Sequence, residues 1–522
     1  MDFTRELDSS SYEKTRLVII GAGIAGLAAA KTLEDSNFKD YLLLEAQDQI
    51  GGRICSIEWN NNWVEAGAQF LHGDQSALGT LAKEHKLLSE TESTEGQGIF
   101  VCDDGTSIDQ RLVDEIDDLV CDTLENCEKY AYRDTELESL DNIGKVLRKN
   151  MLTYLRSKNE TPIIRRIQEE IFDWMVKFLM IDNSCSTLDD LSTKYWGKFR
   201  FVGGPEHLVF EKGYCSLTNL LAERLDRRNL RLNSAVENIE WQRDLKDENL
   251  SPVVLSLNNK KRIIADCVIV TSSLGYLKEN HRKMFLPVLP FEHFQAIESL
   301  GFGLINKIFL DFGKPWWETD TKGIQMLRSR NNDHEINYKT EDRLSSSWIW
   351  DLTGFDVLPN HDAVLLGWVG GQGASIVEKL TENEVANDCL YALKTFLKRD
   401  NIPHPKRCIR TRWNANKYVR GAYSHIPACC DEPKITPATL AAPIYRTRKN
   451  DDRPKVREIL LHSNEHLIST LTYCFLTFHL NSTYLHFYDC SKCPFSCLLA
   501  KLHTNIFTPQ PTELMTPVKR KP

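Results

Sequence analysis

Three glycines and one acid set out the first piece of chemistry. Gly21, Gly23 and Gly26 stand in GAGIAG directly after the apolar run LVII, and Glu45 closes a second apolar run, YLLLE. The pattern is that of a strand, a tight glycine turn, an Ala/Leu-rich helix and a second strand ending in an acid about twenty residues on, which is one βαβ unit with a dinucleotide fingerprint. The first glycine allows the turn, the second lets the backbone approach a pyrophosphate, and the third lets helix and strand pack closely. Helix N-terminal amides and the helix dipole then face the phosphates. Glu45 is placed to accept a hydrogen bond from a ribose hydroxyl.

Further reactive positions follow. Gly51, Gly52 and Arg53 come straight after the second strand, and the run VEAGAQFLHG brings Glu65, Gly67, Ala68 and the pair His72-Gly73. Arg53 offers a fixed fork of donors suited to a diphosphate. A nicotinamide dehydrogenase has no need for it there, whereas a flavoprotein that wraps its cofactor does. His72 is the type of side chain whose charge changes near neutral pH. In GFGLINKIFLDF, Lys307 lies between two apolar groups. On an alternating strand it is either a solvent-facing position or a desolvated amine, and a desolvated amine has a lowered pKa and can act on a bound water. The run TRWNANKYVRGAYSHI carries Trp413, Tyr418 and Tyr423, either a Tyr-rich surface loop or an aromatic wall.

With these motifs in this order, the stretch from about Arg16 to Ser424 resembles the flavin-containing amine oxidases, in particular their polyamine oxidase and spermine oxidase branch. The resemblance implies FAD as cofactor, held by Gly21, Gly23, Gly26, Glu45, Arg53, Gly67, Ala68, Val236, Trp413 and Tyr418, with Val236 touching the adenine end through its backbone. It also implies that Lys307 holds a water against flavin N5. His72 would lie near the flavin and steer or deprotonate the amine, and Tyr423 would form one wall of an aromatic slot. The implied reaction is oxidation of a polyamine, spermine or an N-acetylated one, at a carbon next to a secondary amine. It consumes oxygen and gives a shorter amine, an aldehyde and hydrogen peroxide. Monoamine oxidation and lysine demethylation are the neighbouring activities. Asp182, with Asp189 and Asp190 in IDNSCSTLDDLS, is a candidate for a distal ammonium; helix capping is the competing structural role.

These residues need a frame. A chain of 522 residues is too long for one core, so two intertwined domains are expected. The fold class expected is α/β: a Rossmann-like FAD-binding domain interleaved with a mixed α+β substrate-binding domain. Residues 15–75, 205–285 and 401–465 are assigned to the first, and 76–204 and 286–400 to the second. Residues 1–14 form a disordered lead, and 466–522 an atypical tail. From about Gln75 to Phe199 the spacing reads as helical; SSSWIWDL and AVLLGWVGGQGA read as short strands, and NEVANDCLYALKTFLK as an amphipathic helix. A hydrophobic content of 42% and a charged content of 26% are those of an ordinary soluble protein. The net charge of -9 argues against a nucleic-acid partner and is compatible with a polycationic substrate, though global charge is a poor guide to a site. Fifteen cysteines without a regular framework suggest reduced thiols. The polar N-terminal segment MDFTRELDSSSYEKT has no apolar core for export, so a cytoplasmic location is expected, with no membrane association and no metal. Oligomeric state leaves no signal.

The family pattern breaks after Ser424. It calls for an apolar strand, a Gly-Glu-Ala-Thr-like turn and a helix opening with Gly-Ala. Ile459 to Leu461 suits the strand, and Glu465 with Ser469-Thr470 faintly echoes the turn, but no glycine follows Gly421. A turn that cradles a cofactor with its backbone is hard to build without glycine. The run Leu467 to Tyr488 is apolar but interrupted by His479, Asn481 and His486, a poor membrane span. Cys490, Cys493, Cys497 and His503 have loose metal-like spacing without a second CxxC. A catalytically impaired variant that lacks the last FAD-binding motif is therefore the alternative to an active oxidase.

Overall fold

The computed structural model describes residues 12–93, 95–132, 141–198, 203–205, 207–241, 253–329, 348–445 and 458–461. Two sheets carry the site. The first is nine-stranded and has Glu13–Ile20 near its middle. That strand pairs in parallel with Arg262–Val270 on one side, Val18 opposite Val268, and with Tyr41–Leu44 on the other, Ile19 opposite Leu43. Val18, Ile19, Leu43 and Val268 are all buried, as a sheet covered on both faces requires of its apolar runs. The first strand begins at Glu13, inside the segment expected as a disordered lead. Strands Val253–Leu257 and Val236–Glu240 extend the sheet antiparallel. The strand expected at Ile459 to Leu461 is present as Glu458–Leu461, parallel to Arg262–Val270 with Leu460 opposite Ile269. Glu465 and the rest of the tail, with its cysteines and its apolar run, lie outside the described residues.

The second sheet has six strands in the order Arg407–Arg410, Asn306–Asp311, Val364–Val369, Gly354–Val357, Gly323–Leu327 and Ile99–Cys102. Every residue of Asn306–Asp311 is buried. Lys307 therefore has no solvent-facing side to occupy, and the polar residues of the strand must find partners inside.

The stretch expected to be wholly helical departs from that reading in one place. Helices Ala77–Glu84, Gln110–Glu128, Ile143–Ser157 and Pro162–Asp182 are there, the last with Thr161 as N-cap and Pro162 in its first turn. Between the first two lie strands Leu88–Glu92 and Ile99–Cys102. The run IFVC is aromatic and β-branched, and it joins the second sheet opposite Ile324 to Leu327. The expected strand at SSSWIWDL is instead a 3-10 turn over Trp348–Asp351, whose Trp348, Ile349 and Trp350 are buried in the core beneath that sheet. In AVLLGWVGGQGA the strand stops at Val369, and the glycines open a helix, Gly371–Val377. Helix Glu382–Leu397 has the reciprocal Thr381–Glu384 capping box and ends at Lys398 with a left-handed φ of 52°.

Candidate active site

The glycine turn is built as its spacing implies. Gly21 has φ 103°, and a Cβ there would lie 2.7 Å from Thr271 Oγ1. Gly26 faces back from the first turn of helix Ile24–Asp35, and a Cβ on it would lie 1.8 Å from the Gly21 oxygen. Gly23 is the helix N-cap and bridges to Gly51. Glu45 is buried at the end of the second strand; Oε2 accepts from the Ala22 amide at 2.7 Å and Oε1 from the Gln47 amide at 2.9 Å. Burial raises its carboxyl pKa, against the pull of those amides. Gly21, Gly23, Glu45, Arg53, Val236 and Tyr418 line one groove of about 640 Å³, counted to its open mouth. A mouth of glycine backbone, an acid and an arginine suits a nucleoside diphosphate.

The second glycine motif is locked to the first. Arg53 O accepts from the Ala68 amide at 3.0 Å, and a Cβ on Gly67 would meet that oxygen at 1.8 Å. Only glycine allows the two segments to lie this close. Arg53 Nη1 donates to the Ala422 oxygen at 2.7 Å and so ties the loop to the aromatic segment. That segment is fixed from below as well. Asn306 Oδ1 accepts from Thr411 Oγ1 at 2.9 Å and from the Trp413 amide at 3.3 Å. The Glu378 carboxylate accepts from the amides of Asn414 and Ala415.

Lys307 closes the arrangement. It is 3% exposed. Its Nζ donates to the main-chain oxygens of Glu65 at 2.7 Å and Gly67 at 2.6 Å, and to Gln69 Oε1 at 2.7 Å. Trp413 Nε1 donates to Ala66 O at 2.9 Å. Lys307 thus grips the main-chain oxygens of residues 65 and 67, and Trp413 grips that of residue 66. The Trp368 ring lies 4.5 Å from Nζ. Burial lowers the lysine pKa to about 7, and Glu65, Glu95 and Cys55 act in the opposite direction.

Beside Lys307 stands a cluster of acids and a phenol. The Tyr423 hydroxyl donates to Ile181 O, at the end of helix Pro162–Asp182. Asp182 is exposed, yet the surrounding protein raises its carboxyl pKa to about 6. Glu95 is half-buried and pushed up to about 8, first by burial and then by Asp356 and Asp182, with Lys307 opposing. The Tyr423 phenol is raised by burial and by Asp182 and Glu95. Tyr423 and Trp368 pack on the cluster of Ile181, Ile305 and Ala422. Asp189 does not join them. It pairs with Arg148, and Thr187 caps its amide.

Known proteins resemble this chain in sequence and share its fold. A family model described as flavin containing amine oxidoreductase matches residues 24–442. The chain belongs to the flavin-containing amine oxidoreductases. It is an FAD-dependent amine oxidase, and the groove fits the adenosine diphosphate half of that cofactor. Among its relatives, the peroxisomal N(1)-acetyl-spermine/spermidine oxidase of Homo sapiens is 29% identical over 433 residues, which are 79% of this chain and 83% of that one. Probable polyamine oxidase 5 of Arabidopsis thaliana is 28% identical, covering 86% and 92%. A lysine-specific histone demethylase 1B homolog of Caenorhabditis elegans is 29% identical, covering 81% of this chain and 52% of its own. A redesigned putrescine oxidase shares the fold at a TM-score of 0.59 and 18% identity, over 86% of this chain and 93% of its own.

Within this amine oxidase, the sequence-derived positions fall into three places. The groove collects Gly21, Gly23, Glu45, Arg53, Val236 and Tyr418, with Gly26 behind it. Gly67, Ala68, Trp413 and Lys307 meet around residues 65–69. Tyr423 and Asp182 stand with Glu95 in the acid cluster. His72 is exposed, with its ring 6.2 Å from Phe70 and 5.6 Å from His207, and does not reach the lysine cradle. Sequence reasoning passed over Gln69 and Glu95, and weighed Trp368 as core or aromatic wall. Gln69 sits inside a motif already singled out. Glu95, in a polar stretch with many acids, had no signal to distinguish it. No helix among the described residues is long and apolar enough to cross a membrane, and none of their His, Cys, Asp and Glu groups would hold a metal.

Proposed function

We propose that this amine oxidase acts on a polyamine, spermine or an N-acetylated form, at a carbon next to a secondary amine. The observation that carries the reading is one cluster of two parts: a buried lysine against the Trp368 ring, and the acids, with Glu95 in electrostatic range of Lys307 and both Glu95 and Asp182 in range of Tyr423. A long cation with several charges needs both parts. Its remote ammonium donates a charge-assisted hydrogen bond to an acid, while the reacting amine is held neutral in a drier place. Bound FAD supplies the two-electron redox chemistry, with oxygen as the final acceptor. The chain's own residues orient and exclude water. Trp413 and Tyr423 wall the slot, and Lys307, whose three Nζ donors are taken by Glu65 O, Gly67 O and Gln69 Oε1, holds a water at Nζ by exchanging one of those acceptors for it. His72 steers the amine from the entrance. Imine hydrolysis then gives the aldehyde and the shorter amine, and oxygen leaves as hydrogen peroxide. The two sheets serve as a cofactor-binding and a substrate-binding portion. A cytoplasmic site of action is part of the proposal.

Peroxide release from spermine, N-acetylspermine, spermidine and a monoamine tests the substrate class; activity confined to the monoamine would overturn it. Within that assay, Glu95→Gln is expected to raise KM for spermine roughly ten- to a hundredfold, the worth of one charge-assisted hydrogen bond, with kcat little changed. Because Glu95 must be ionised to bind the ammonium, spermine binding is expected to tighten as pH rises toward about 8.

A second reading, an impaired member of the family, is favoured by one observation: strand Glu458–Leu461 is seated in the cofactor sheet, yet no glycine follows it to form the family's next turn. The colour of the purified protein separates the two. A yellow preparation bleached anaerobically by spermine supports the active enzyme, and colourless protein that takes up no added FAD supports the impaired variant.

A further inference from the structure

The buried acid Glu65 has no part in the reaction as described so far, although it sits against the amine. It ends strand Asn62–Glu65 and is 5% exposed. Its main-chain oxygen accepts from Lys307 Nζ at 2.7 Å. Its carboxylate is held elsewhere, accepting from the Tyr214 amide at 2.7 Å and from Ser56 Oγ at 2.8 Å. Ser56 Oγ in turn accepts from the Cys215 amide at 3.0 Å, so its hydrogen is committed to Glu65. Tyr214 and Cys215 open helix Cys215–Glu223, whose N-terminal dipole favours an anion. A carboxylate fixed this way in a dry interior needs a counter-charge, and the cation that faces it is Lys307. The other groups facing Lys307 are Glu95, ahead of strand Ile99–Cys102, the Cys55 thiol and the Trp368 ring; Cys55 faces Glu65 too.

We propose that Glu65 is a positioning residue that sets the charge of Lys307: its carbonyl helps place the amine, and its carboxylate, clamped by Tyr214 and Ser56, is the counter-ion that keeps the proton on it. The proposal rests on the reading of Lys307 as the amine of the reacting site. Burial pushes the lysine down and the carboxyl up, and each charge resists the shift of the other. Removing the carboxylate charge leaves only Glu95 and Cys55 to oppose desolvation of the lysine, which lowers its pKa further. The folded pKa already lies below the ordinary 10.5, so between the two values the unfolded chain binds more protons and stability climbs with pH.

The test compares Glu65→Gln, Glu65→Asp, Lys307→Met and the Glu65→Gln/Lys307→Met pair in the full chain. Two readouts are used: the pH profile of anaerobic flavin reduction by spermine, and the pH dependence of unfolding. The profile limb that Lys307→Met removes is expected about one unit or more lower in Glu65→Gln, restored in Glu65→Asp, and absent in the double variant. The rise of stability with pH is expected to begin at lower pH in Glu65→Gln and to vanish in Lys307→Met. Should Glu65→Gln not fold, Ser56→Ala, which loosens the carboxylate, is expected to shift both readouts in the same direction by less. If limb and stability rise stay at the wild-type pH, Glu65 is a structural residue and the proposal falls. If Lys307→Met leaves the reduction profile untouched, it is the reading of Lys307 that fails, and the unfolding titration still decides whether Glu65 controls its charge.

Discussion

Lys307→Met is expected to slow anaerobic flavin reduction by a polyamine by ~10²- to 10⁴-fold, the usual worth of a positioned acid–base group, while the protein stays yellow. The side chain keeps its length and apolar stem but loses every donor of Nζ. Three acceptors then lose their partner, Glu65 O, Gly67 O and Gln69 Oε1, each at about 1–3 kcal/mol if it stays dry. Against this, burying the ammonium itself is costly, as its lowered pKa records. The two effects oppose, so the melting temperature is expected to move by a few degrees only. Stopped-flow reduction with flavin absorbance checks the rate, and thermal unfolding checks the balance. A variant that reduces at the wild-type rate would remove Lys307 from the chemistry.

Gly26→Ala is expected to yield protein without flavin. The added carbon would lie 1.8 Å from the Gly21 oxygen, a backbone atom that cannot swing aside. Relief requires helix Ile24–Asp35 to lift from the sheet, which opens the pyrophosphate cradle and costs ~3 kcal/mol or more in packing. Gly52→Ala is the contrasting control. Its Cβ would meet nothing nearer than 3.4 Å, though its φ of 61° adds strain of roughly 1–2 kcal/mol. The flavin-to-protein absorbance ratio is expected near zero for the first variant and close to wild type for the second. Equal ratios in both would mean that close helix–strand packing does not govern cofactor binding.

The cofactor end was legible in the sequence because its chemistry is local. A glycine turn, a helix start and an acid recur at fixed offsets, and the structure puts Gly21, Gly23 and Glu45 on one groove without long-range help. The strand around Lys307 was legible only as apolar. Whether the lysine faced in or out depended on Glu65, Gly67 and Gln69 arriving from some 240 residues earlier in the chain. The acid cluster was hardest to foresee. Glu95 acquires its character from Asp356, Asp182 and Lys307, each on a different element. Trp348 and Trp350 misled in the other direction, since strand-like spacing there was overridden by a turn that buries both rings.

The alternate grip on residues 65, 66 and 67 has an evolutionary consequence. Lys307 and Trp413 hold three successive main-chain oxygens, and every residue type supplies such an oxygen. The side chain at position 66 can therefore change without moving the amine or the indole, and position 67 is constrained only by its lack of room. The acids proposed to face the distant end of a substrate, Glu95 and Asp182, come from other segments and can be exchanged one at a time. A scaffold wired in this way lets substrate preference drift among descendants while the reacting end stays in register.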